Sequence, residues 1–173
     1  MLLGGEGVYP TEKTCCFTGH RASKLPWGHN EDDPRCVALK RELYDAISRL
    51  YAIGYRRFIC GMAMGCDMYF AEAVLRLKEE RPGVCLEAAV PCPEQDARWP
   101  AQERKRYARL LSGCDRYTLI SERYTYTCMA ERNSYMIAQS SLLVAVFGGE
   151  RGGTFNTIRE AVNLGRRIVE IEI

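Results

Sequence analysis

Four stretches of the chain carry residue types that could do chemistry. They are Thr18-Gly19-His20-Arg21, then Gly61-Met62-Ala63-Met64-Gly65-Cys66-Asp67, then Pro91-Cys92-Pro93-Glu94-Gln95 with Trp99 close behind, and Gly148-Gly149-Glu150-Arg151-Gly152-Gly153-Thr154. Glycine just before a helix allows positive φ and clears the side chain that would keep a ligand off the backbone. The first-turn amides of that helix lack internal partners and carry partial positive charge. Phosphate satisfies both conditions. The spacing is neither the dinucleotide fingerprint nor the P-loop pattern with its Gly-Lys-Ser/Thr ending. Each loop alone therefore says little, and the two glycine loops together point to a phosphate. Simpler roles stay open: Gly61 and Gly65 as turn residues, Asp67 as an N-cap or as acceptor of a ribose hydroxyl, Thr154 as an N-cap that also touches phosphate. His20 reads as a loop residue or a ligand contact, and Arg21 as a countercharge for phosphate or carboxylate. Arg104-Lys105-Arg106, with Arg98 and Arg109, reads as a solvated helix face.

Those stretches sit between alternating strands and helices. Strands are expected over Thr14–Thr18, Arg57–Cys60, Val84–Val90, Arg116–Ile120 and Leu142–Phe147, and a last one holds Val169, Ile171 and Ile173 opposite Glu170 and Glu172. Leu142–Phe147 has no polar alternation, so both its faces should be covered. The last strand alternates and should lie at an edge. Helices are expected from Asp33-Pro34, a cap followed by a first-turn proline, to Gly54, and over Asp67–Glu80, Ala101–Leu111, Glu131–Gln139 and Thr154–Leu164. Strands separated by helices imply crossover units. The expected fold is α/β, a Rossmann-like three-layer arrangement with a mostly parallel sheet of about six strands in the order 3-2-1-4-5-6. Ligands of such sheets bind beyond the carboxyl ends of the strands, where the strand order switches. The loops after Thr18, Cys60 and Phe147 should therefore share one cleft.

With 173 residues and 47% hydrophobic composition, one domain with a packed core is expected, and the Gly-rich first 13 residues read as a loose segment. The balance of 24 basic to 22 acidic residues lacks the strongly basic footprint of a dedicated nucleic-acid binder. Nine cysteines without a Cys-x-x-Cys pair, and only two histidines, argue against zinc and for buried thiols in a reducing, cytoplasmic compartment. No secretory leader or membrane span is expected. No cofactor is required, and a homodimer is left open.

From Thr14 to Ile173 the chain resembles the YpsA-like proteins of the SLOG superfamily, which links DprA/Smf to the LOG phosphoribohydrolases. The resemblance rests on Cys16-Phe17-Thr18-Gly19-His20-Arg21, Gly61 through Asp67, Glu131-Arg132-Asn133-Ser134-Tyr135-Met136, and Gly152-Gly153-Thr154 with Thr157 and Ala161. It implies a Rossmann-like fold and a nucleotide-derived ligand. It also adds Arg132 and Asn133, the pair that opens a later helix, to the site. LOG enzymes carry a glutamate three residues after the threonine of their Gly-Gly-x-Gly-Thr motif, whereas Thr157 stands here. Cleavage of an N-glycosidic bond calls on carboxylates. The remaining acidic candidates for that role are Glu150, Glu131 and Asp67.

Three functions compete. In the first, the protein binds or senses a phosphate-bearing nucleotide derivative through Gly19, His20, Arg21, Gly61, Gly65, Asp67, Arg132, Asn133, Gly152, Gly153 and Thr154, with Trp99, Tyr124 or Tyr126 against a base. In the second it is a nucleotide N-glycosidase or phosphoribohydrolase, disfavoured by Thr157. In the third, the least favoured, it binds single-stranded DNA as DprA does, which wants a basic groove with stacking aromatics.

Overall fold

Six strands form one sheet in which every neighbouring pair is parallel. A computed structural model describes residues 9–173. The strands are β1 (Thr14–Gly19), β2 (Arg57–Cys60), β3 (Cys85–Val90), β4 (Arg116–Leu119), β5 (Leu142–Phe147) and β6 (Arg167–Glu172). The helices are α1 (Pro34–Ala52), α2 (Cys66–Glu80), α3 (Ala101–Gly113), α4 (Cys128–Ala138) and α5 (Gly153–Asn163). The expectation of a loose start and no leader falls, for residues 1–8, outside the described residues. Thr11–Lys13 form a 3-10 turn that leads into β1.

The strand order is β4-β3-β2-β1-β5-β6, which corrects the expected order. The expected arrangement placed the fourth strand beside the first. That position is held by β5, whose five residues from Leu142 to Val146 are buried. β4 is short and mostly exposed, and lies outside β3. A central slot covered on both faces by helices needs an apolar strand, and Arg-Tyr-Thr-Leu cannot fill it. The direction of winding therefore reverses between β1 and β5. β6 closes the other edge, with Ile171 buried and Glu170 and Glu172 exposed.

One face of the sheet packs Phe17, Phe58, Leu86 and Val144 against Leu43 and Ile47 of α1, Phe70 and Val74 of α2, and Leu110 of α3. The opposite face packs Cys16, Ile59, Leu143 and Ala145 against Met136 and Ile137 of α4 and Ala161 of α5. This gives the three layers expected of a Rossmann-like α/β fold. α1 opens as its sequence implies: the Asp33 side chain accepts a hydrogen bond from the Arg35 amide, with Pro34 in the first turn.

Toward the β4 edge, polar groups take over from this apolar packing. The fully buried Glu87 of β3 accepts hydrogen bonds from Arg57 Nε of β2 (2.7 Å), Thr118 Oγ1 of β4 (3.0 Å) and Tyr135 Oη of α4 (2.7 Å). A buried carboxylate is tolerable only with such a set of donors. Arg106 also departs from expectation. Instead of lying on a solvated face, it bridges Glu31 and Glu72 and is largely covered, because three carboxylates converge on that side of α3.

Candidate functional site

The winding reversal leaves the loops after β1 and β5 side by side. His20 joins them: its Nε2 accepts a hydrogen bond from the Gly148 amide at 3.2 Å, and its ring lies 6.0 Å from that of Phe147. Burial, and then Lys24, push the His20 pKa below its ordinary value, against the pull of Glu150. The ring is therefore neutral near pH 7, with its proton on Nδ1, and acts as a tether between the loops.

Around this tether lies a cleft of about 170 Å³ lined by Gly19, His20, Arg21, Lys24, Asp67, Arg132, Asn133, Gly152, Gly153 and Thr154, among others. Nine of the expected site residues thus share one cleft. Gly61 and Gly65 are absent from its lining and act behind it. A Cβ on Gly61 would overlap the Arg132 guanidinium, standing 2.6 Å from Cζ, and would lie 2.9 Å from Asp67 Oδ2. Gly61 is therefore the space in which Arg132 lies. Gly65 has φ of +97°, and a Cβ there would lie 2.5 Å from the Ala22 amide. Its lack of a side chain lets the second loop close on the first, where the Cys66 amide donates to the His20 carbonyl at 3.2 Å.

Three amides of the second loop, those of Met62, Ala63 and Cys66, are committed to the protein. Met62 N–H donates to Cys60 Sγ, and Ala63 N–H donates to Asp67 Oδ2 at 3.1 Å. The last loop is different. Gly152 caps α5 without a side chain, and the first closing bond runs from Asn156 N–H to the Gly152 carbonyl. The amides of Gly153 and Thr154 thus open α5 at the cleft wall. The N-cap roles considered for Asp67 and Thr154 are corrected here. Gly65 and Gly152 hold those positions, because the glycine backbone leaves the helical region first and each polar residue falls in the first turn.

Arg132 is buried, donating from Nη1 to the Gly61 carbonyl (2.6 Å) and from Nε to Asn133 Oδ1 (2.8 Å). Asn133 in turn donates to Thr157 Oγ1 (3.0 Å), which donates to the Gly153 carbonyl (2.8 Å). Thr157 is thus the buried link that fastens α4 to the start of α5. Burial raises the Asp67 pKa despite the nearby Arg132, and lowers that of Arg132 despite Asp67. Both charges sit at the cleft in a medium that solvates them poorly.

Of the acidic candidates, only Asp67 lines the cleft. Glu131 is exposed and accepts a hydrogen bond from Thr127 Oγ1, and Glu150 is exposed on the loop. Trp99 and Tyr124 line a neighbouring cavity that shares Arg21 and Met129 with the cleft. Tyr126, 97% exposed, lines neither. Sequence reasoning missed Lys24 and Met129. Lys24 Nζ lies 3.3 Å from where a Cβ on Gly152 would stand, at the mouth of α5. Lysine in a 3-10 turn gives no sequence signal. Met129 was missed because α4 starts at Cys128, three residues earlier than expected, with no capping side chain to announce it.

The model of the YspA SLOG family matches residues 15–167. The chain belongs to that family. It is similar to the uncharacterised prophage-derived protein YoqJ of Bacillus subtilis, 32% identical over 142 residues that cover 75% of this chain and 83% of that one. A UPF0398 protein of Halalkalibacterium halodurans is 26% identical over 146 residues, covering 82% of this chain and 76% of that one. Among solved structures, DprA of Streptococcus pneumoniae aligns with a TM-score of 0.62 at 14% identity over 92% of this chain. DprA of Helicobacter pylori, described for its single-stranded DNA binding mode, aligns with a TM-score of 0.60 at 15% identity over the same share. This chain spans 50% of the first and 65% of the second. At such identities the likeness shows the shared Rossmann-like fold. Among the described residues no helix is long and apolar enough to cross a membrane.

Proposed function

We propose that this SLOG-family protein binds a phosphate-bearing, nucleotide-derived ligand and works as a sensing or carrier module. The observation that carries this reading is an excess of positive potential at one point. The uncapped amides of α5, Lys24 and Arg21 border one cleft, and neither cation is in an ion pair with any described residue. Like-signed groups brought together repel unless an anion joins them. A cleft of about 170 Å³ holds roughly five or six waters' worth of volume, so it suits a phosphate with part of a sugar and leaves the rest of a ligand outside.

Turnover has less support. Glu131 and Glu150 stand off the cleft, and Thr157 is committed to the α4–α5 link. Asp67 spends one oxygen on the Ala63 amide. The nine unpaired thiols suit a reducing compartment and agree with a cytoplasmic setting. The test is calorimetric titration of ribose 5-phosphate into wild type and Lys24→Ala. Binding should weaken about tenfold in the variant, the scale of one charge-assisted contact. Unchanged affinity would refute the reading. A steep loss of oligonucleotide binding with salt, without ribose 5-phosphate binding, would favour single-stranded DNA instead.

A further inference from the structure

Two buried side chains of opposite charge end at the cleft without touching each other. Asp67 and Arg132 are each 6% exposed, and both line it. They flank one point of the chain: a Cβ on Gly61 would stand 2.6 Å from Arg132 Cζ and 2.9 Å from Asp67 Oδ2. Each is fastened from behind. Asp67 Oδ2 accepts from the Ala63 amide, and Arg132 spends Nη1 on the Gly61 carbonyl and Nε on Asn133 Oδ1. That leaves Asp67 Oδ1 and Arg132 Nη2. Neither has a partner among the described residues, and the two side chains form no ion pair with one another. Neither atom is among the unpartnered polar atoms sealed from solvent. In residues otherwise enclosed, the open surface that these two atoms meet is that of the cleft. A buried carboxylate oxygen and a buried guanidinium nitrogen held apart in this way call for a group that satisfies both.

The chemistry of that group is narrow. It must donate to Oδ1 and accept from Nη2. A carbonyl or phosphate oxygen only accepts, and an amide or ammonium nitrogen only donates. A phosphate would also set its charge against that of Asp67. A hydroxyl does both. We infer that this part of the cleft is a sugar-hydroxyl subsite, in which one hydroxyl of a furanose donates to Asp67 Oδ1 and accepts from Arg132 Nη2. The inference rests on the proposed phosphate site, which brings the sugar there. The two sites stand in fixed relation, because Arg132 leads through Asn133 and Thr157 to the Gly153 carbonyl in an unbroken run of hydrogen bonds. With phosphate at the α5 amides and Lys24, and the hydroxyl between Asp67 and Arg132, the cleft selects sugar phosphates over free phosphate. It also selects against sugars that lack the bridging hydroxyl. A site built to bond a hydroxyl rejects the deoxy analogue because its own polar atoms are then left unpaired.

The experiment titrates the full chain by calorimetry with inorganic phosphate, ribose, ribose 5-phosphate and the 2-deoxy and 3-deoxy forms of ribose 5-phosphate. Ribose 5-phosphate should bind about tenfold or more tightly than inorganic phosphate, and at least one deoxy form should fall about tenfold or more below ribose 5-phosphate. Asp67→Asn keeps an oxygen for the Ala63 amide and turns an amide nitrogen toward the cleft. It should abolish the gap between ribose 5-phosphate and the rejected deoxy form. Affinity for inorganic phosphate should hold or rise, because a negative charge has left the site. A gap that persists in this variant, or a fall in its phosphate affinity, would overturn the role of Asp67 as acceptor. If the variant does not fold, the wild-type ratios decide alone. Equal binding of ribose 5-phosphate and both deoxy forms, or no gain over inorganic phosphate, would overturn the hydroxyl subsite and leave the phosphate site standing. Ribose that binds as tightly as ribose 5-phosphate, with a deoxy form rejected, would keep the subsite and overturn the phosphate reading. Failure of all five to bind would overturn both.

Discussion

Replacing Gly153 by aspartate separates stability from binding more cleanly than any other single change at this cleft. Gly153 is the first residue of α5, and a Cβ added there meets nothing within 4 Å. The protein itself therefore accepts the side chain. A carboxylate in the first turn favours the helix dipole, and losing a glycine favours the helix, together worth about 0.5–1 kcal/mol. For a chain of this size that corresponds to a rise in Tm of about 1–4 °C. A bound phosphate meets the opposite sign. At about 5 Å, a unit charge pair costs roughly 1 kcal/mol at the dielectric of water and about 3 kcal/mol at an effective value of 20. Affinity for ribose 5-phosphate should therefore fall about 5- to 150-fold while the melting temperature holds or rises. Calorimetry and thermal melts on the same preparation read both quantities. A variant that is more stable and binds as tightly as wild type would refute the placement of phosphate at α5.

Gly61→Ala should cost about 1–3 kcal/mol by denaturant titration, because the new methyl occupies the space of the Arg132 guanidinium; a midpoint equal to wild type would show that Arg132 moves aside freely. The lowered pKa of His20 means that the unfolded chain binds its proton first. Stability from this group is thus full above about pH 6.5 and is lost as pH falls through the depressed folded value. His20→Gln, whose Oε1 can replace Nε2 as acceptor, should flatten that loss relative to wild type, and parallel stability curves for the two proteins would contradict it. All nine cysteines should titrate as thiols after denaturation under nitrogen, and the native protein should react slowly, since eight of the nine are buried and burial holds Cys16, for example, up at about 12. Fewer than nine thiols would reveal a disulfide.

The sequence exposed most of the frame because its strongest signals are local. β2 and β5 run over Arg57–Cys60 and Leu142–Phe147, the bounds expected from their composition. A strand covered on both faces writes its burial into consecutive apolar residues. Strand order is a non-local property, and β4 shows the consequence: its four residues say that it is poorly buried but not which neighbour it takes. The glycine loops were legible as unusual, yet what each glycine makes room for was not. Gly61 is explained by an arginine 71 positions away, and Gly65 by a backbone amide of the first loop. Lys24 carried no signal at all, since a surface-type lysine becomes informative only through what faces it.

The Glu87 cluster couples pieces of the chain that arrive separately. Its donors come from β2, β4 and α4, so β4 or α4 cannot peel away alone without stranding part of a buried charge. Partial opening of this flank should therefore be concerted. In native-state hydrogen exchange, the ladder amides of β4 and the α4 amides around Tyr135 should share one opening free energy and one denaturant slope, below that of β1 and β5. Distinct slopes for the two segments would show that they open independently. If they open together, the polar cluster gives this half of the sheet the cooperativity that close apolar packing gives the other.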